Sequence, residues 1–167
     1  SRALAPEDAP PNALQKELFG PTPAAGTNAR DAARVAARSL ARKAFRRPAS
    51  ESELAVLMNV FDLAIADQRS YFGALRMVLK AALVSPQFLF ITPAVEPEPG
   101  KDIMPVDDYQ LACRLSYLIW ATMPDPELAA LADGGKLNNP EVLNAQVKRL
   151  LSDRRSRALF DGFGAQW

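Results

Sequence analysis

The sequence predicts an all-α fold in two small helical subdomains, about three helices and then about four, joined by a proline-rich linker. Three observations lead to this prediction. Apolar residues recur at helical spacing from residue 28 onward, helix start signals precede these segments, and no run alternates as a half-buried β-strand does. With 167 residues, the chain is long enough to bury a core.

Composition divides the chain into four segments. Proline and glycine dominate the start, with one short turn expected around Leu14–Phe19, and the stretch TPAVEPEPGKDIMP, which holds four prolines, marks the clearest boundary. The segments are an extended lead-in (1–27), a first helical subdomain (28–92), a linker (93–105) and a second helical subdomain (106–167). The last apolar stripe is still open at Trp167, so we expect the second subdomain to continue in a longer parent protein.

Three helices are predicted in the first subdomain. The first begins at Thr27 or Asn28, either of which suits an N-cap, and ends before Pro48. The second begins at Ser50, which forms a capping-box pattern with the glutamate three residues later. The third covers about 70–84, and the following QFLFI is predicted to be a short apolar tail on the bundle, with an unpaired strand as the alternative.

The second subdomain contains four predicted helices. Asp107 begins a helix that is apolar around most of its circumference, a pattern typical of a central helix. Asp125-Pro126 and Asn139-Pro140 are two copies of one start signal, an N-cap followed by proline at the first helical position. The helix from Pro140 is expected to bury Leu143, Val147, Leu150 and Leu151, and the last helix starts near residue 154.

The most conspicuous pattern is an arginine at every fourth position of the first helix. Because successive i,i+4 positions drift by about 40°, the ladder covers roughly 160° of the helix, the width of a solvated face. An exposed or salt-bridged face is therefore the favoured interpretation, ahead of a partner-docking surface. Nucleic-acid binding comes last because no stacking aromatics lie near the ladder and several acids do: Asp31, Glu51, Glu53, Asp62 and Asp67. The candidate docking surface combines the ladder with the terminal aromatic stripe: Arg30, Arg34, Arg38, Arg42, Arg46, Phe160, Phe163 and Trp167.

Residues suited to catalysis are scarce. The chain has no histidine and a single cysteine, Cys113, which lies in the most apolar helix and is interpreted as a small buried hydrophobe. A second basic group, at 148–157, is interpreted as a solvated helix end. With 20 basic and 19 acidic side chains, the net charge is +1. The sequence thus indicates no catalytic residue, no cofactor-binding residue, no metal ligand and no membrane span.

Several strings resemble a known group of proteins. ARKAFRRPASESELAVL and GALRMVLKAALVSPQFLF resemble one domain of the large secreted proteins of planctomycetes and related bacteria. MPVDDYQLACRLSYLIWATMPDPELAALADGGKL and VKRLLSDRRSRALFDGFGAQW resemble the domain that follows it in those proteins. These proteins combine several domains of unknown function with cytochrome c-type modules.

The resemblance implies a periplasmic, cell-surface or secreted protein, with haem c in a neighbouring domain or subunit and no cofactor in this chain. Expected partners are other domains or chains of the same parent, and the open terminal stripe also suits self-association. The expected function is a helical scaffold or interaction module without activity of its own. The alternative is the helical part of the active-site shell of a redox or polymer-degrading enzyme, completed by domains absent from this chain, with an apolar pocket around Trp120 and Met123.

Overall fold

The structure, a computed structural model, describes residues 12–21, 23, 28–93 and 105–163; of Phe163 it describes the backbone alone. It divides the chain into two compact units, Ser1–Phe90 and Ile91–Trp167. Helices make up the regular structure of the described residues, and no strand occurs among them. The predicted all-α fold with two helical subdomains is confirmed. None of the described helices is long and apolar enough to cross a membrane.

The first unit contains five helices among its described residues: α1 Ala13–Phe19, α2 Ala29–Phe45, α3 Glu51–Ala66, α4 Tyr71–Val84 and α5 Pro86–Leu89. Each longer helix starts where a side chain caps it. Asn28 Oδ1 accepts from the N–H of Arg30 at 3.0 Å, and Ser50 and Glu53 form the predicted capping box. The turn expected at Leu14–Phe19 is α1, which a capping box of Asn12 and Gln15 begins.

The core of the first unit forms where the alanine side of α2 meets α3 and α4. Ala33, Ala37 and Ala41 are fully buried, and their small size lets the larger side chains of α3 and α4 approach the helix closely. Those helices contribute Leu54, Met58, Phe61, Leu75 and Val78 to the same cluster. Leu83, near the end of α4, is 40% exposed.

The apolar tail QFLFI is helical over its first three residues, which belong to α5. Pro86 stands at the first position of α5, where its missing N–H costs nothing, and the chain leaves the helix at Phe90. The helix packs against α2 and α4, so the predicted packing on the bundle is confirmed and the strand alternative is wrong. Leu89 and Phe90 themselves remain exposed.

The second unit contains α6 Asp108–Trp120, α7 Pro126–Asp133, α8 Pro140–Ser152, a 3₁₀ helix Arg154–Ser156 and α9 Arg157–Phe163. The predicted caps are present. Asp107 accepts from the N–H of Gln110 at 2.7 Å, and Asp125 accepts from the N–H of Leu128 at 3.0 Å. Helix α6 contacts the other three α-helices of this unit, as expected of a central helix.

The core of the second unit is smaller than that of the first. Its buried members are Ala112, Ile119, Trp120, Leu128, Ala132, Leu137 and Leu150. Cys113 is buried, as predicted. Of the four residues expected to be buried on α8, only Leu150 is: Leu143 and Val147 are half-buried, and Leu151 is 46% exposed.

A buried carboxylate links the start of α6 to the turn before α8. Asp108 is 9% exposed and accepts from the N–H of Leu137 at 2.6 Å and from the side-chain amide of Asn138. Asp108 therefore connects parts of the second unit that lie about 30 residues apart in the sequence. The predicted extended lead-in at 1–11, the body of the linker at 94–104 and Trp167 lie outside the described residues.

Candidate interaction surface

The first arginines of the ladder form ion pairs with α3. Arg30 approaches Asp62 with two parallel contacts, Nε to Oδ1 at 3.0 Å and Nη2 to Oδ2 at 2.9 Å. The hydrogen bond from Arg30 holds the pKa of Asp62 below its ordinary value. Asp62 was among the acids that the sequence placed near the ladder.

Arg34 and Arg38 share one carboxylate. Their Nη2 atoms lie 2.5 Å and 2.9 Å from the two oxygens of Glu51, which is 67% exposed. Hydrogen bonding from Arg38 and then its charge lower the pKa of Glu51. Because two guanidinium groups share a single carboxylate, this part of the α2 surface keeps an excess of one positive charge.

Arg46 has a structural role inside the first unit. It ends α2 with a left-handed conformation, φ 59°, and its guanidinium donates to the carbonyl oxygens of Phe88 at 3.0 Å and Phe90 at 2.9 Å. These carbonyls belong to the end of α5 and the residue after it, where helical carbonyls have no partner within the helix. The ladder is thus not a uniform surface, since its last member holds α5 in place.

An open groove of about 700 Å³ lies between α1 and α2. Its floor is the outward side of α2, with Ala32 and Val35, and Leu18, Pro21 and Tyr71 are among the residues that form its walls. Val35 is 72% exposed although it stands in the middle of a helix. The groove is therefore lined mainly by apolar side chains that solvent can reach.

The groove continues along α2 into a second hollow of about 370 Å³, lined by Arg38, Arg42, Pro48 and Ala49. Val35 and Ser39 line both hollows, so the two form one path along the helix. This path changes from apolar to basic as α2 proceeds. We call the two hollows together the α2 groove.

Sequence reasoning missed the contribution of α1 to this groove. Residues 1–27 were predicted as lead-in, yet Phe19 is 4% exposed and belongs to the core of the first unit. A signal was present in the sequence, because Asn12 and Gln15 have the spacing of a capping box.

The predicted docking residues of the second unit are only partly described. Phe160 is 68% exposed on α9, which leaves its ring available to a partner. The side chain of Phe163 and the whole of Trp167 lie outside the described residues.

Trp120 and two arginines form a compact cluster in the second unit. The indole N–H donates to the carbonyl of Leu150 at 2.9 Å, and the guanidinium carbon of Arg155 lies 3.5 Å from the centre of the indole ring. Arg149 binds Asp125 through two contacts of 2.7 Å and 3.2 Å. Trp120 is only 3% exposed, so it serves the core rather than an open pocket, whereas Met123 is 46% exposed.

The arginines of this cluster favour the ionised forms of its two carboxylates, Asp125 and Asp153. The hydrogen bonds from Arg155 lower the pKa of Asp153 to about 2. Burial raises the pKa of Asp125, but hydrogen bonds from Arg149 and from the backbone of Leu128 outweigh this effect and lower it. The second basic group thus consists in part of paired side chains that connect α7, α8 and the 3₁₀ helix.

The described residues present no arrangement typical of catalysis or metal binding. Nowhere in 12–21, 28–93 or 105–163 do three cysteine, aspartate or glutamate side chains come together so that they could hold a metal ion. Asp62, Glu51, Glu53 and Asp125 each pair with an arginine.

Comparison with known families agrees with two separate helical units. Residues 32–92 match the family model described as PSD5, a protein of unknown function (DUF1595), and residues 106–167 match PSD4, a protein of unknown function (DUF1592). The chain therefore carries two consecutive domains of unknown function, which confirms that part of the resemblance seen in the sequence. No curated protein and no solved structure was found to match the chain.

Proposed function

We propose that this chain is a helical scaffold and interaction module that positions other domains or chains of its parent protein. The observation that supports this role best is the α2 groove, in which Val35 is 72% exposed beside apolar walls. Exposed apolar side chains clustered in a concave surface are typical of sites that bind a partner. The charged side chains beside it hold helices together, which suits a module without activity of its own.

The proposed context is an exported bacterial protein that also contains cytochrome c-type modules. The strings quoted above support it, and so does the order of the two domains of unknown function. In this context haem c belongs to a neighbouring domain or subunit, and the protein resides in the periplasm, on the cell surface or outside the cell. The purified chain is then expected to lack the Soret absorbance of haem.

A binding measurement tests the scaffold role. The chain and the remainder of its parent protein would be produced separately and mixed, and their association measured by calorimetry. We expect saturable binding and unchanged haem absorbance in the remainder. A remainder that assembles fully and shows no affinity for the chain would contradict the proposal.

The second candidate is a part of an enzyme's active-site shell, completed by domains outside this chain. The volume of the larger hollow, about 700 Å³, favours it, because ligand pockets commonly have about 300–1,000 Å³. The same reconstitution separates the two candidates. Turnover that disappears with the chain removed, while the folding and haem loading of the remainder persist, would favour the enzyme shell.

A further inference from the structure

We propose that the α2 groove binds an amphipathic α-helix of net negative charge, with its apolar side over Val35 and its acidic residues near Arg38. This inference rests on the proposed interaction role and adds the class of partner. It is carried by the shape of the groove, its length and its distribution of charge.

The shape suits a helix because the floor is low and the walls are apolar. Ala32, Val35 and Ser39 follow one another at helical spacing on the outward side of α2, and all three have short side chains. Small floor residues allow a second helix to approach closely, as in ridge-into-groove packing. Leu18 and Tyr71 then contact that helix from the side.

The length of the groove corresponds to about three helical turns. From Ala32 to Arg42 the axis of α2 advances by about 15 Å, at 1.5 Å per residue. A partner helix of this length presents apolar residues at positions i, i+3 or i+4, and i+7. The continuous path through Val35 and Ser39 can receive such a row.

Charge determines which amphipathic helix fits. At the basic end, Arg34 and Arg38 share the single carboxylate of Glu51, and Arg38, whose side chain is 53% exposed, lines the groove. The apolar end contributes one lining carboxylate, Glu17. Acidic residues in the partner therefore meet a complementary surface at one end, which sets the direction of the helix and accelerates its association.

Selection from a peptide library tests the proposal without knowledge of the natural partner. A phage library of random 16-residue peptides would be panned against the full chain, and the enriched peptides synthesised with a fluorescent label. We expect enriched peptides with apolar residues at i, i+3 or i+4 and i+7 and with net negative charge. Their circular dichroism should become helical on binding.

Matched substitutions locate the binding site. Val35→Lys should raise the Kd for a selected peptide at least tenfold, although the added positive charge attracts an acidic peptide. Val56→Lys is the control, because Val56 is likewise an exposed valine, 61% exposed, but lies on α3 and does not line the groove. The far-UV spectrum of each variant shows whether it is folded.

A second pair tests the role of charge. Arg38→Gln should raise the Kd about threefold at low salt, in line with one exposed ion pair, and the difference should shrink at 0.5 M salt. Arg69→Gln removes an arginine that pairs with Asp67 and does not line the groove, and it should leave the Kd unchanged.

Several results would overturn the inference. These are the absence of any enriched peptide, enriched peptides that are basic or bind in extended form, binding insensitive to Val35→Lys, and displacement of the peptide by a single-stranded oligonucleotide. The proposed function is judged separately, by binding of the remainder of the parent protein. If the remainder binds wild type and Val35→Lys equally, the scaffold role stands and the helix-binding groove fails.

Discussion

Two neighbouring glutamates of α3 illustrate how differently ion pairs contribute in this molecule. Glu53 meets Arg47 through contacts of 2.7 Å and 2.9 Å, and the Arg47 side chain is only 6% exposed. Glu51 meets Arg34 and Arg38 at the surface. Removing one partner of a buried pair leaves a charge without compensation, whereas water readily replaces an exposed partner.

Glu53→Gln is therefore expected to lower the free energy of unfolding by about 3 kcal/mol. Glutamine keeps the size of the side chain and its ability to cap the helix, so the loss reports on the charge beside Arg47. Glu51→Gln, two residues earlier, is the matched control and should leave the urea midpoint almost unchanged. Equal midpoints for the two variants would contradict the distinction between buried and exposed pairs.

The sequence predicted one of the two contacts of Glu53 but not the other. Ser50 and Glu53 have the spacing of a capping box, and that prediction is confirmed. The partnership of Glu53 with Arg47 was not predicted, because Pro48 turns the chain between them and the rotamers decide which acid meets which arginine. The acids near the ladder could be named, but not assigned one by one.

At the scale of the helix, start signals were more informative than ends. The Asp-Pro and Asn-Pro pairs placed the starts of α7 and α8 correctly, because cap and proline act locally. The end of α6 carries no such signal. Ala121 adopts the left-handed conformation there, φ 52°, a position that glycine usually takes.

Ala121→Gly is expected to raise the free energy of unfolding by about 1 kcal/mol, because glycine reaches this conformation without strain. Ala121 is exposed, so little packing is lost. Ala130→Gly, at an exposed position inside α7, should instead lower it by about 1 kcal/mol. Urea unfolding of both variants measures whether the free energy of unfolding rises or falls. A destabilised Ala121→Gly would refute the role of the backbone conformation.

Apolar spacing predicted most buried faces but not their edges. Leu150 is buried while its neighbour Leu151 is 46% exposed, since one step around α8 decides which of them faces α6. The α2 groove could not be predicted from helical spacing either. Its apolar wall comes from α1 and the residues after it, and only the tertiary contact between α1 and α2 creates the concave surface.

At the scale of the whole molecule, the absence of histidine affects how the stability of the fold depends on pH. Histidine is the side chain whose ordinary pKa lies between about 5 and 8, and the sequence contains none. Arginine hydrogen bonds lower the pKa of Glu51, Glu53, Asp62 and Asp153 in the folded chain. Acid should therefore act on stability through carboxylates alone.

The expected profile is flat between pH 7.0 and about 5.5 and falls below about pH 4.5. A carboxylate whose pKa is lower in the folded state stabilises the fold above its unfolded pKa, and this contribution disappears as pH falls through the folded pKa. For Asp153 that pKa is about 2, so its contribution persists longest. Urea midpoints at pH 7.0, 5.5, 4.0 and 3.0 measure the profile, and Asp153→Asn should flatten its lowest part. A midpoint that already falls between pH 7.0 and 5.5 would require a titrating group other than these carboxylates, and would contradict the account.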